Sequence, residues 1–154
     1  MIAETKIGRG DQAFDYYKRI NPSAREEISV VHRCEPYVYA QTIAGKEALK
    51  PGEAKNSWLT GTAAWNYVAI TQNILGIQPT YDGLSISPVI PKTWNGFDVL
   101  REYRGVSYHI HVERSTDIQD IKLVVDGTVV PGTLIPLPSA GVTDVNVHVY
   151  LPLK

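Results

Sequence analysis

The sequence predicts an α + β protein in two successive segments, helices first and an antiparallel β-sandwich second. Three observations carry that reading. A long apolar run, Trp65 to Ile77, follows a cluster of hydroxyl side chains and a glycine; such a cluster starts a helix and such a run continues it. From Thr80 onward the apolar period falls to two, the alternation of half-buried strands. Arg104-Gly105 and Asp126-Gly127 stand between alternating runs as hairpin turns.

In chain order, Met1 to Ile7 reads as the end of a helix, broken by Gly8-Arg9-Gly10. Asp11 then caps a second helix that runs to about Ile20, with Phe14 and Tyr17 on one face and Asn21-Pro22 as the stop. Gly8-x-Gly10-x-x-Ala13 imitates a dinucleotide fingerprint, but no convincing strand precedes it, so it reads as a helix–turn–helix corner. A chain opening on a helix too short to be stable alone is expected to be cut, with packing partners in a missing N-terminal portion. Ser23 to Cys34 is polar and is expected to cross the surface irregularly.

Pro36 suits a first helical position, so a helix is expected from Glu35 through Tyr39 and Gln41 to a stop at Gly45, with a loop from Ala48 to Ala54. The helix after Thr60 is apolar almost all round, the pattern of a buried one, and Gly76 ends it. Beyond it come the alternating runs Leu84–Ile86, Val99–Tyr103, Val106–Val112, Ile121–Val125, Thr128–Val130 and Val145–Leu151. Prolines 88, 91, 131, 136, 138 and 152 confine their segments to edges and loops.

With 154 residues the chain makes one domain or two small ones. Fifteen basic and sixteen acidic residues nearly balance, so nothing points to nucleic acid or an anionic membrane. No apolar stretch is long enough to span a bilayer and none resembles a signal peptide. The single Cys34 excludes an internal disulfide and suits a reducing, cytoplasmic setting.

Chemistry has few candidate seats. At Asn56-Ser57-Trp58-Leu59-Thr60-Gly61-Thr62, the helix start offers free N–H groups and a positive dipole end to an anion, and Gly61 lets backbone approach it. An ordinary buried helix start is the competing reading. His109 and His111 share one face of a strand, with His148 as the one further histidine in the β half, but two solvated histidines is the simpler outcome than a metal site. Cys34 reads as structural. Glu35, Glu47, Glu53 and Asp82 are carboxylates of the type that cleave glycosidic bonds, and no spacing singles out a pair. Trp58 and Trp65 read as buried packing; Trp94 sits in a more open loop, to bind a sugar or to staple the β half to the helices.

Glu35-Pro36-Tyr37-Val38-Tyr39-Ala40-Gln41, Ala44-Gly45 and Lys55 through Trp65 resemble the C-terminal part of the cellobiose/cellodextrin phosphorylase family, the inverting glycoside phosphorylases. Leu75-Gly76-Ile77 with Pro79, Tyr81-Asp82-Gly83-Leu84, and Ile90-Pro91 with Trp94 and Gly96-Phe97 continue the similarity in the same order. The resemblance implies that residues 1–78 are the last helices of a catalytic (α/α)6 barrel, and that 79–154 form a C-terminal, jelly-roll-like β-sandwich.

It also implies cleavage of a β-linked, cellobiose-like glucose disaccharide by inorganic phosphate, giving a sugar 1-phosphate with inversion. Phosphate is a co-substrate and no cofactor or metal is implied. Thr60 and Gly61 match the family's phosphate-binding pair and Gln41 its sugar-contacting glutamine; Glu35 and Tyr39, a helical turn apart, would line the same pocket. The family's general acid lies upstream, so no catalytic residue is expected in this chain and it should be inactive alone, its partners being the missing part of the enzyme, a companion chain, or a second copy covering an exposed stretch between Trp58 and Leu75. Two other readings stand beside this one: a fragment of an inverting glycoside hydrolase, and a non-catalytic carbohydrate-binding or scaffolding β-sandwich.

Overall fold

A computed structural model describes residues 1–153. Helix α1 (Ile2–Lys6) turns at Gly8, φ 75°, into α2 (Gly10–Ile20). Phe14 and Tyr17 share a face of α2, their rings 6.1 Å apart. Asp11 does not cap α2; its carboxylate accepts the Lys92 N–H at 2.8 Å and ties the helix to the β half. The stretch expected to be irregular is helical instead: a 3-10 helix, Pro22–Ile28, leads into α3 (Ser29–His32). The Asn21 side chain accepts from the Ser23 N–H and Pro22 occupies the first turn, which together start the helix where composition alone showed only polarity.

The helix expected from Glu35 to Gly45 does not form. Pro36 begins a single turn, closed by the Val38 N–H on the Glu35 carbonyl at 3.1 Å, and the chain then extends. β1 (Thr42–Ile43) pairs antiparallel with β2 (Ala54–Lys55), and the Gln41 N–H reaches the Lys55 carbonyl at 3.2 Å. Non-local pairing at the β-branched Thr42-Ile43 overrides the local helix signal.

Helix α4 (Thr62–Val68) runs without a break into a wider π-helical segment, Ala69–Ile74, where the Leu75 N–H reaches back to the Ile70 carbonyl at 2.8 Å. It is not buried all round. Asn66, Ala69 and Ile74 face inward, whereas Trp65 and Tyr67 are 69% and 60% exposed. The apolar excess of the sequence therefore exceeds what α1, α2 and the β half cover. At Gly76 the backbone turns left-handed, φ 68°, and a Cβ there would strike the Ser87 carbonyl, so glycine is needed.

The remaining strands are β3 (Ile77–Thr80), β4 (Gly83–Ile86), β5 (Gly96–Tyr103), β6 (Val106–Ser115), β7 (Lys122–Val125), β8 (Thr128–Val130), β9 (Leu134–Pro136) and β10 (Asp144–Pro152). They form a five-stranded sheet of order β5-β6-β10-β7-β8 and a three-stranded sheet of order β3-β4-β9. Both expected hairpin turns are present, with Arg104 and Gly105 at φ 50° and 78° and Asp126 and Gly127 at 46° and 79°, the paired left-handed residues of a tight two-residue turn. The arrangement is not wholly antiparallel: β10 runs parallel to β6 along its whole length, from Asp144 opposite Ser107 to Pro152 opposite Ser115. The long return from β8 through β9 sets that direction, and alternation within single strands carries no trace of it.

Between the sheets, Val106, Tyr108, Ile110 and Val112 of β6 and Val145, Val147, Val149 and Leu151 of β10 meet Leu84, Ile86 and Ile135 of the smaller sheet. Pro79 and Pro136 lie on that sheet's edge strands. Trp94 is not open to a ligand; it packs on the core, edge-on to Phe14 of α2 at 4.9 Å, and is the staple between the halves.

Candidate functional site

The segment from Asn56 to Thr62 is shaped by an unusual backbone. Asn56 and Trp58 both have positive φ, 54° and 70°. Asparagine tolerates that region; for a tryptophan it is a strained outlier that surrounding contacts must hold. Two cross-links hold it. The Trp58 indole N–H donates to Glu35 Oε1 at 3.1 Å, and Asn56 Nδ2 donates to Gln41 Oε1 at 3.0 Å. Trp58 also stands edge-on to Tyr37, centroids 6.3 Å apart. The 35–41 stretch is thus laid along the loop that leads into α4, by side-chain bonds that local periodicity does not reveal.

At the helix start, Thr60 Oγ1 accepts the Thr62 N–H at 3.1 Å and lies 2.6 Å from Thr62 Oγ1. With Thr62 as hydroxyl donor, Thr60 Oγ1 is doubly hydrogen-bonded as an acceptor and its own proton is free to point outward. Gly61 is exposed, at φ −78° and ψ 3°, with only Trp65 Cδ1 near where a Cβ would stand, at 3.8 Å. Any residue could adopt that conformation, so the fold gives no reason for a glycine there.

Of the sequence candidates, Glu35 and Gln41 are brought against the Asn56–Trp58 loop two residues before Thr60. Glu35 is held below the usual carboxylate range by its own backbone N–H and by the Trp58 indole, so it is an anion at neutral pH. Tyr39 goes elsewhere. It is half-buried beside Tyr17 of α2, and burial first, then the Tyr17 phenol, push its hydroxyl up to about 12. The helix turn that was to align Glu35 with Tyr39 is absent. Trp58 and Asn56 are the positioning residues that sequence reasoning missed; Trp58, read as buried packing, is 67% exposed.

Other candidates resolve otherwise. On the outer face of the larger sheet, His111 Nδ1 lies 2.6 Å from Asp98 and His109 Nε2 lies 3.3 Å from Asp144, with the His148 ring 5.5 Å from that of His111. Among the described residues no three such side chains come together to hold a metal. Glu53 bonds Lys55 and Arg33 and is lowered chiefly by Lys55, the pattern of an ion-pair network. Cys34 is a half-buried free thiol, raised by burial and by Glu35. Among the described residues no helix is long and apolar enough to cross a membrane.

Comparison with known proteins assigns the first half. Residues 1–76 match the family described as the glycosyl hydrolase 94 superfamily, catalytic domain. The chain is 42% identical to an N,N′-diacetylchitobiose phosphorylase of Vibrio proteolyticus over 137 residues, 88% of this chain and 17% of that protein. It is 43% identical to the protein of the same name from Vibrio furnissii over 117 residues, 76% of this chain and 15% of that one. With a solabiose phosphorylase of Paenibacillus borealis it shares 34% identity over 145 residues, 93% of this chain and 19% of that protein. The chain thus spans less than a fifth of the length of these relatives. On the matched catalytic-domain residues and these relatives, the chain belongs to the glycosyl hydrolase 94 phosphorylase family and corresponds to its C-terminal part.

Proposed function

We propose that this chain is the phosphate-side portion of an inverting disaccharide phosphorylase, in which Thr60 and Gly61 seat the attacking phosphate. The observation that carries the reading is an exposed glycine without a backbone reason to be one, beside a threonine hydroxyl that accepts the Thr62 N–H at the helix start. The first N–H groups of a helix lack intrahelical partners and favour an anion. The Thr60 hydroxyl and the Gly61 N–H would each donate to a phosphate oxygen and aim another oxygen at the anomeric carbon.

Glu35 and Gln41 extend the seat toward a sugar. An ionised Glu35 cannot give a proton to a leaving oxygen; it accepts hydrogen bonds from sugar hydroxyls, while Gln41 both donates and accepts. Tyr39 supports the 35–41 stretch from behind, through Tyr17, rather than touching sugar. Protonation of the leaving group needs a neutral acid that none of these residues supplies. On this reading residues 1–78 are the closing helices of an (α/α)6 barrel, 79–154 its terminal sandwich, and the remainder of the barrel covers Trp58, Leu59, Trp65 and Tyr67, all more than half exposed. A companion chain or a second copy would cover the same face. A free Cys34 suits a cytoplasmic setting.

The substrate class is a β-linked disaccharide. Cellobiose is the form the motifs suggest, and N,N′-diacetylchitobiose is a second form, because two relatives above 40% identity carry that name. The purified chain, given either sugar with phosphate, is expected to yield no sugar 1-phosphate; turnover would refute the missing acid. Joined to the preceding part of a catalytic domain, Thr60→Val should lower kcat/KM for phosphate on the order of 100-fold, the scale of removing one anion-hole donor. An unchanged value would remove Thr60 from the phosphate site, and faster hydrolysis than phosphorolysis would favour the hydrolase reading.

A further inference from the structure

A second place in the molecule, remote in sequence from Thr60 and Gly61, has the features of a built site. Tyr108 on β6 is fully buried, and its phenolic hydroxyl has no hydrogen-bond partner. A buried polar group left unpaired costs about 1–3 kcal/mol, so its retention calls for a partner. Tyr103, the nearest phenol to influence it, spends its own proton on the Thr80 carbonyl at 2.6 Å. Tyr108 lines a cavity of about 290 Å³ at the tip of the β5–β6 hairpin, closed on its other side by the loop from Leu137 to Val142.

The lining has one sign of chemistry. Arg104 contributes the charge, and its guanidinium lies over two aromatic rings, 5.4 Å from the Tyr103 centroid and 5.6 Å from that of Tyr81. Ser139 adds a hydroxyl, and Gly105 and Gly141, both at positive φ, add backbone without side chains. Among the described residues lining the cavity none is acidic. The nearest carboxylate along the chain, Glu102, accepts from the Ser107 hydroxyl at 2.6 Å, and Asp144 is engaged by Thr143 and His109. Donors without a facing carboxylate, around a space of about one sugar ring, select an acceptor-rich anion over a cation or an apolar group.

We propose that this cavity binds a small oxyanion, a phosphate or carboxylate group borne by a molecule no larger than a monosaccharide, through Arg104 and the Tyr108 hydroxyl. The site does not depend on the phosphate seat at Thr60. It would let the β half sense an anionic substrate or product at a distance from the helix start.

Amide-resolved NMR titration of the full chain tests it, with inorganic phosphate, glucose 1-phosphate and glucuronate as probes and neutral glucose as control. The expected result is saturable shifts of the Gly105 and Gly141 amides with at least one anion and none with glucose. Which anion acts tells free phosphate from a sugar phosphate or a sugar acid. Arg104→Ala should weaken that binding at least tenfold, and Tyr108→Phe, which keeps the ring, several-fold. Shifts confined to the Gly61 amide, equal response to glucose, or binding unchanged in both variants would overturn the proposal. So would a high-resolution crystal grown with the anions that shows only water beside Tyr108.

Discussion

The two halves of the chain handle their apolar side chains in opposite ways. Among the described residues, fourteen of the eighteen buried hydrophobics lie from Ile77 onward, in the space between the two sheets. Thirteen of the twenty exposed large hydrophobics lie before it, including Trp58, Leu59, Trp65 and Tyr67. Two facing sheets close a core with their own strands. A few short helices and one two-stranded ribbon cannot cover a helix that is apolar on every side. The β half thus supplies the stability and the helical half supplies a surface, and the site candidates belong to the surface.

That contrast makes its strongest prediction in a pair of substitutions. Leu84→Ala, at a fully buried position between the sheets, should cost about 2–5 kcal/mol in denaturant unfolding of this chain. Trp65→Ala removes a larger side chain yet should change stability by no more than about 0.5 kcal/mol, because it is mostly in water. Comparable losses would mean that the helical face is covered in solution. A second copy covering it would show as a concentration-dependent midpoint.

Next in size is the joint between halves. Gly76→Ala forces a Cβ onto the Ser87 carbonyl in a left-handed turn, with an expected loss of about 3 kcal/mol. The same change at Gly61, which has room and an ordinary φ, should be nearly neutral to folding. If the two variants unfold alike, Gly61 has a structural duty and the anion argument loses its main support.

How much of this the sequence contains differs between the halves for the same reason. The strands from Gly83 on, except β9 (Leu134–Pro136), were legible because period-two alternation and tight turns such as Asp126-Gly127 are local signals that sheet packing reinforces. The parallel run of β10 on β6 was not, since it follows from where a long return lands. In the helical half the local signals misled. Pro36 promised a helix that pairing between Thr42-Ile43 and Ala54-Lys55 prevented, and the apolar run of α4 promised a burial that these partners do not provide. Thr60 and Gly61 were legible as a helix start, while the Trp58–Glu35 and Asn56–Gln41 links that shape the approach join residues 23 and 15 positions apart, beyond any periodicity.

A smaller effect sharpens how the halves are joined. Phe14 and Trp94 meet edge-on, and Asp11 holds the Lys92 N–H nearby. A double-mutant cycle of Phe14→Leu and Trp94→Leu should give a coupling of about 1 kcal/mol, typical of an aromatic pair. Additive losses would mean that the halves touch without depending on one another, and that the helices are held chiefly by the Gly76 turn.

The smallest effect belongs to the outer face of the larger sheet. Asp144 is held below its usual range, first by the Thr143 hydroxyl and then by His109. A carboxyl whose folded pKa is depressed contributes stability that is complete above its unfolded value, near 3.8, and is lost as pH falls through the lower folded value. Asp144→Asn should therefore be slightly less stable than the parent at pH 7, and the gap should close as pH falls below about 4. Its solvent exposure keeps the gap small. A gap that instead opened toward acid would mean that the carboxylate repels something in the folded state. Since His109 and Thr143 bond it in the fold, that outcome would require a different arrangement where β6 pairs with β10, next in sequence to residues that line the proposed anion cavity.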